Sequence, residues 1–316
     1  MTTKLLWLGG ILAAQLLLSA GLLLNDLDGA SQQAPQNLLS FAPLEADRLV
    51  VDDRTNTATL TRVDDGWQLS DLANLPANAP KVNGLLGNLE DLTTRWPVVN
   101  TASGRERFEV NEDNYQRRLA FYQGDQLLGT YYFGTSPGFR QTHVRRDGED
   151  DVYAVAFNNF DLPTDANDWL DKALLAVTDP TRIAGPDYTL VKQDDTWALE
   201  QSDTADGSTL KTSTADALER AWNNLRVLRV ADNSVPAAAK TTAVTVANND
   251  GSWRYTFNQT DNACFVQRED INSLFTLTNG DCDQLGGTRR AGLVDMPATT
   301  GPAEHEDHAA EPSAKG

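Results

Sequence analysis

The chain is poor in the residues that most often carry chemistry. Of 316 residues, three are His and two are Cys. Two Cys without a nearby His cannot close a tetrahedral zinc site. His143 falls in a segment that reads as strand. His305 and His308 stand in the C-terminal stretch "HEDH", where a tail without periodicity cannot preorganise ligands, so neither a metal nor any other cofactor is expected. There is no phosphate-cradling GxxxxGK, no dinucleotide-binding glycine fingerprint and no HExxH. A serine nucleophile needs a GxSxG elbow or a positioned base; "GTSPG", Gly134 to Gly138, reads as a turn closed by Pro137 and Gly138. Basic residues are also scarce. Lys and Arg number 26 against 45 Asp and Glu, a formal net charge of −19. That argues against a general nucleic-acid binder, which needs basic surface to displace counterions from phosphates. It fits a well-solvated surface.

What is present begins at the N-terminus. After Lys4, "LLWLGGILAAQLLLSAGLLL" runs from Leu5 to Leu24 without a charge. As a helix it spans roughly 30 Å, the thickness of a bilayer core. Lys4 before it and Asp26 and Asp28 after it place the N-terminus in the cytoplasm and the remainder outside. A cleaved signal peptide is the alternative, since "LSAG" offers small residues. An uncleaved anchor is preferred because "LLL" continues beyond them. No Cys lies nearby, which excludes a lipoprotein anchor.

The folded pattern contains one phrase twice. "LTRVDDGWQL" (Leu60 to Leu69) and "LVKQDDTWAL" (Leu190 to Leu199) share the form L-x-x-x-D-D-x-W-x-L. The aspartate pairs have two readings: acid/base carboxylates, or turn residues between two strands. A strand Trp two residues after each pair favours the turn, with Trp67 and Trp197 buried at equivalent places. Each phrase is followed by a helical stripe. In the first, Pro80 opens it, Val82, Leu85, Leu86, Leu89, Leu92 and Trp96 line it, and Pro97 ends it. In the second, Ser213 or Thr214 caps it, with Leu218, Trp222 and Leu225 on one face. More strands follow each helix. The period is too long for a solenoid, so the expectation is a two-module duplication of α+β class, each module an antiparallel sheet covered by a helix. The predicted segments are a transmembrane anchor at 1–25, a linker at 26–40, modules at 41–178 and 179–286, and a disordered tail at 287–316.

Cys264 and Cys282 flank a strand, the "REDIN" turn and a second strand. Antiparallel pairing brings Cys264 close to the end of the second strand, and an exported domain lies in an oxidising space. A disulfide is therefore predicted, against the alternative of two free thiols in a core. Seven arginines run against the global charge: Arg105, Arg107, Arg117, Arg118, Arg140, Arg145 and Arg146. One reading is an interaction face for an acidic partner or anionic headgroups, carried by Arg117, Arg118, Arg140, Arg145 and Arg146. The preferred reading is solvated strand residues paired with Glu106, Glu109 and Asp147.

From Phe41 to about Ile183 the chain resembles the bacterial domain-of-unknown-function family 4340. The landmarks are "FAPLEADRLVV", the "DDGWQL" hairpin, "LPANAPKVNGLLGNL", "LGTYYFG", "VYAV" and "NDWLDKALL", in that order. The second module keeps the hairpin Trp but has no counterpart of Asp171-Lys172. Trp169, with Leu174 and Leu175 beside that pair, reads as a packing segment joining the modules. The resemblance implies a single-pass protein of the inner membrane with its bulk periplasmic, commonly encoded beside an ABC transporter of the gliding-motility type. It supplies no catalytic residue. The expected function is a non-enzymatic accessory subunit whose partners are a transporter membrane protein and, through the anchor, the bilayer. The alternative is an exported hydrolase or a small-molecule- or glycan-binding protein.

Overall fold

The computed structural model describes residues 15, 17–19, 21, 34–64, 66–200, 208–232 and 234–295. Two compact units divide between Asp171 and Lys172, upstream of the 178/179 junction read from sequence. The backbone explains the position. The Asp171 amide donates to the Pro76 carbonyl at 2.9 Å, inside the first unit. The Lys172 carbonyl accepts from the Val227 amide at 2.9 Å, inside the second. Leu175 is buried there, and its carbonyl accepts from the Tyr255 hydroxyl at 2.9 Å.

The first unit contains β1 (Gln36–Asn37), β2 (Arg48–Asp52), β3 (Thr57–Val63), β4 (Gly66–Leu69) and β5 (Leu75–Pro76). It continues with β6 (Thr93–Thr94), β7 (Arg117–Gln123), β8 (Gln126–Phe133), β9 (Thr142–Arg146) and β10 (Val152–Val155). Eight of these form one antiparallel sheet in the order β10-β9-β8-β7-β2-β3-β4-β5, and β1 pairs with β6. The second unit contains β11 (Arg182–Ala184), β12 (Thr189–Gln193), β13 (Thr196–Leu199), β14 (Thr209–Leu210) and β15 (Arg229–Val230). It ends with β16 (Lys240–Ala247), β17 (Ser252–Gln259), β18 (Cys264–Arg268), β19 (Phe275–Leu277) and β20 (Val294–Asp295). Its large sheet runs β13-β12-β11-β16-β17-β18-β19-β15, and β14 pairs with β20.

The order β4-β3-β2-β7-β8-β9-β10 in the first sheet is the order β13-β12-β11-β16-β17-β18-β19 in the second. A helix lies between the two halves of that order in each: Ala79–Glu90 and Thr212–Asn223. The repeated ten-residue phrase has one register in both. Leu60 faces Leu69 and Arg62 faces Trp67; Leu190 faces Leu199 and Lys192 faces Trp197. In each hairpin the cation stands over the opposite indole, at 4.8 Å for Arg62 and 5.8 Å for Lys192. Asp194 and Asp195 have φ of 46° and 61° between the paired Gln193 and Thr196, a two-residue loop of the type that matches strand twist. Asp64 has φ 49°. Asp64, Asp194 and Asp195 make turns, as their place before a strand Trp predicts; Asp65 lies outside the described residues.

The Ala79–Glu90 helix begins where the Asn78 side chain accepts from the Lys81 amide at 2.9 Å, and it buries Val82, Leu85, Leu86 and Leu89. It stops earlier than the sequence stripe. Thr93–Thr94 leaves to pair with β1, and Trp96 is half exposed, so Pro97 ends nothing helical. The second helix is preceded by Lys211 with no side-chain cap, so Ser213 and Thr214 lie inside its first turn. It buries Ala215, Leu218 and Trp222, the last packed on Tyr255 at 4.7 Å. Glu219 on this helix accepts from the Trp197 indole at 2.7 Å and pairs with Lys192 at 2.8 Å, joining helix to hairpin. Burial works against its charge, but these two partners outweigh it and hold its carboxyl below the usual range.

Two further boundaries differ from the sequence reading. Residues 36–39 of the expected linker belong to the fold: β1 pairs, and Leu38 and Leu39 are buried. The expected tail starts too early, because Leu293 and Val294 are buried and β20 closes on β14. In both places an apolar pair fills a core from a stretch of polar composition. The anchor prediction falls mostly outside the described residues. Gln15, Leu17, Leu18, Ser19 and Gly21 of that run are helical, and no helix among the described residues is long and apolar enough to cross a membrane.

The predicted disulfide is formed, with Cα atoms 5.9 Å apart. Cys264 opens β18 opposite Leu277, the last residue of β19, and the turn through Asn279–Asp281 returns Cys282 to it. In the first sheet Thr142 holds the equivalent place opposite Val155, and its hydroxyl donates to the Phe157 carbonyl at 2.9 Å.

Candidate functional site

Two loops at one end of the first sheet carry its most exposed apolar groups. The first, residues 134–141, joins β8 to β9. Gly134 passes so close to Phe108 that a Cβ there meets the Phe108 carbonyl oxygen at 1.9 Å, so only glycine fits. The loop is held from within. The Ser136 hydroxyl lies 2.6 Å from the carbonyls of both Gly138 and Gln141, and Arg140 takes a left-handed φ of 53°. Ser136 thus closes a strand-to-strand turn. The second loop, residues 156–162, contains the short turn Asn159–Asp161, capped by the Asn158 side chain, which accepts from the Phe160 amide. Asn159 ties the loops together: its amide nitrogen donates to the Gly134 carbonyl at 2.8 Å and to Gln116 at 2.9 Å.

These braces fix two phenylalanines in water. Phe139 is 89% exposed and Phe160 is 84% exposed. Burying such a side chain is worth about 1.5–3 kcal/mol, so two of them on braced loops leave a gain for a partner surface to collect. Between them lies a cleft of about 620 Å³, with Arg117, Arg140, Gln116, Gln141, Asn158 and Asn159 among its walls. Among the described residues, no carboxylate, His, Lys or Cys lines it. Arg140 lies 5.5 Å from the Phe139 ring and is exposed. The buried side-chain Oδ1 of Asn159 has no hydrogen-bond partner among the described residues. A second cleft of about 490 Å³ adjoins it, sharing Arg140, Phe157 and Asn158 and adding Leu92 and the carboxylates of Asp91 and Asp161. The site offers aromatic contact, guanidinium charge and amide hydrogen bonds.

The predicted arginine face mostly dissolves into the fold. Arg145 is buried, donating to the carbonyls of Val110 at 2.7 Å and Glu149 at 3.0 Å. Arg146 donates to the carbonyls of Leu38 and Asn37 and pairs with Glu149. Arg118 pairs at 2.7 Å with Asp52, a buried carboxylate that also accepts from the Tyr115 hydroxyl. Burial and that carboxylate push the Tyr115 hydroxyl up to about 12. Arg117 donates to the Leu162 carbonyl and lies 3.9 Å from Asp53, and Arg105 pairs with Asp150. The partners are these, not the expected Glu106, Glu109 and Asp147, which bond to Asn111, Gln116 and Tyr132. Of the five named for the face, Arg140 alone is exposed at the aromatic cleft without an ion pair among the described residues.

The other predicted residues are structural. Trp67 and Trp197 are buried at matching register. Trp169 is fully buried, donates to the Pro163 carbonyl at 2.8 Å, and has the Lys81 ammonium 4.8 Å from its ring. Its segment is a single tight turn, Ala166–Asp168, followed by a bridge from Leu170 to Ala77. Asp171 and Lys172 form the junction, where the Lys172 ammonium donates to the Leu228 carbonyl. Phe139 and Phe160 were missed. The signal was an aromatic residue placed inside turn chemistry, "PGF" and "NNF", where no periodicity gives it a core to face.

His143 lies behind the cleft, stacked on Phe108 at 4.0 Å with its Nδ1 3.0 Å from the Thr135 hydroxyl. Burial holds its pKa below the ordinary value, with Arg107 adding repulsion. The folded state therefore favours neutral His143, and acid favours the unfolded chain, which binds the proton more readily. Stability of the first unit is expected to fall as pH drops below about 6.5, the ordinary His value. His143→Gln is expected to flatten that part of the profile. Denaturant titrations between pH 7.5 and 5 check it; equal pH slopes for both proteins would refute the assignment. No group of three or more His, Cys, Asp or Glu arranged for a metal exists among the described residues, and His305 and His308 lie outside them.

Fold and site together define an α+β protein of two antiparallel sheets that presents braced aromatic tips beside an open cleft. A family model, domain of unknown function (DUF4340), matches residues 67–244. That is more than half of the chain, and the chain belongs to this family. No curated protein and no solved structure matches it.

Proposed function

We propose that the chain is a non-enzymatic, membrane-anchored extracytoplasmic accessory protein of an ABC-type transporter. The observation that carries this reading is the Cys264–Cys282 disulfide in a chain that opens with the uncharged run Leu5–Leu24. Disulfides persist in oxidising compartments, and such a run is the means of reaching one and staying at its membrane. A single span gives no transport path, so the work falls to the folded units. Held to the bilayer, they meet a partner in the same membrane at high effective concentration, and a weak interface suffices.

The second sheet offers a place for that partner. Its edge strand β13 is paired on one side only among the described residues, whereas its counterpart β4 is covered by β5. An open edge takes an added strand through backbone hydrogen bonds. Two measurements test the reading. Mass spectrometry of the mature protein is expected to find the N-terminus intact; a start between Gly21 and Ser31 removes the anchor. A photocrosslinker at Thr196 is expected to capture a transporter membrane component in cells. Capture of none from several positions, together with a hydrolase activity lost on replacing a carboxylate, would establish the enzyme reading instead.

A further inference from the structure

We propose that the Phe139 and Phe160 tips of the first unit rest in the interfacial region of a phospholipid bilayer, with Arg140 against lipid phosphate. This rests on the reading of Leu5–Leu24 as an uncleaved anchor.

Three observations point to lipid. The first is the geometry of the tips. Each phenylalanine stands almost fully in solvent at the end of a loop, and Asn159 holds the two loops together. Such braced rings enter the headgroup and acyl boundary without reordering the loops that carry them. The second is charge. In a chain of net charge −19, no carboxylate among the described residues lines the cleft between the tips; Asp91 and Asp161 line only the adjoining one. Arg140 stands exposed beside Phe139. A guanidinium beside inserted apolar rings pairs naturally with phosphate, and near a membrane surface its attraction is local, so the acidic remainder of the chain weakens it little.

The third observation is the tether. Only residues 25–33 separate the apolar run from the described fold. Nine extended residues reach at most roughly 30 Å, so the first unit cannot leave the membrane surface. β1 pairs with β6, and the Leu38 amide donates to the Leu92 carbonyl at 2.7 Å. Leu92 and Arg140 then line one cleft. The tether thus joins the first unit one hydrogen bond from Leu92, in the wall of the cleft that adjoins the aromatic one.

The test uses the full chain in protein-free vesicles of phosphatidylethanolamine and phosphatidylglycerol. Its native cysteines are bonded to each other, so a nitroxide attaches only to an introduced thiol. Phe139→Cys and Phe160→Cys place it at the tips; Asp125→Cys places it at the exposed hairpin between β7 and β8 as a reference. Collision with oxygen, which concentrates in lipid, is compared with collision with a water-soluble nickel chelate. The oxygen-to-nickel ratio is expected to be several-fold higher at both tips than at the reference. Arg140→Glu is expected to lower the ratio at position 160. Equal ratios at all three positions, in chains that still float with vesicles after a carbonate wash, overturn the lipid contact and leave the anchor standing. Chains that wash off overturn the anchor, and the tether argument falls with it. Tips that stay aqueous in vesicles but become protected in native membranes belong to a protein partner, which also overturns the proposal.

Discussion

Trp67→Ala is expected to cost the first unit about 3–5 kcal/mol, and Trp197→Ala is expected to cost the second about as much. Both indoles are buried at the same register of the same hairpin, each with a cation over its ring. Losing either removes a large apolar volume that the sheet and its helix close around. The two sites differ in one respect. The Trp197 indole also donates to Glu219 on the covering helix, so Trp197→Phe gives up a charge-assisted hydrogen bond that Trp67→Phe does not. The phenylalanine variants are therefore expected to separate, with Trp197→Phe the less stable. Amide hydrogen exchange along a denaturant series reads each loss in its own sheet, since each unit has its own core. Alanine variants within about 0.5 kcal/mol of the parent, the ordinary range of a surface change, would end the case for equivalent core positions.

The second large effect is at the disulfide. Replacing Cys264 and Cys282 together by Ser is expected to lower the stability of the second unit by about 3 kcal/mol, the chain-entropy value for a loop of this size. The bond joins residues 18 apart in sequence across the end of the β18–β19 hairpin. The first sheet closes the same place with the Thr142 hydroxyl, whose bond to Phe157 is worth about 1 kcal/mol net. Thr142→Val is therefore the smaller perturbation of an equivalent position. Chemical denaturation of both variants checks the order. Alkylation of native protein taken directly from cells bears on the compartment as well. If both thiols react before reductant is added, the bond and the oxidising location are lost together.

The parts of this fold legible in sequence are those decided over a few residues. An aspartate pair before a strand Trp makes a turn whatever lies beyond it, because the aspartates favour positive φ and the alternation of the next strand sets the face of the Trp. The stripes of the two helices show their buried faces in the same way. The pairing of Cys264 with Cys282 follows from one hairpin. Where the helices end was less legible: Leu92 and Trp96 continue the stripe after Glu90, and only the pairing of Thr93–Thr94 with β1 shows that the chain has left the helix.

By itself, then, the sequence determined the class: two α+β units with antiparallel sheets, a repeated hairpin and a disulfide. Only the tertiary structure decided what the surface is. Arg118 finds Asp52 across 66 positions and Arg146 finds the Leu38 carbonyl across 108, and these pairings turn a suspected interaction face into internal bracing. Leu38 and Leu39 look like linker until they meet the core, and Phe139 and Phe160 look like ordinary loop residues until nothing covers them. The physical reason is common to all of these. Turn geometry and periodicity are properties of neighbouring residues, whereas burial and ion pairing depend on which distant segments arrive beside them, and one strand's pattern carries no record of its neighbours.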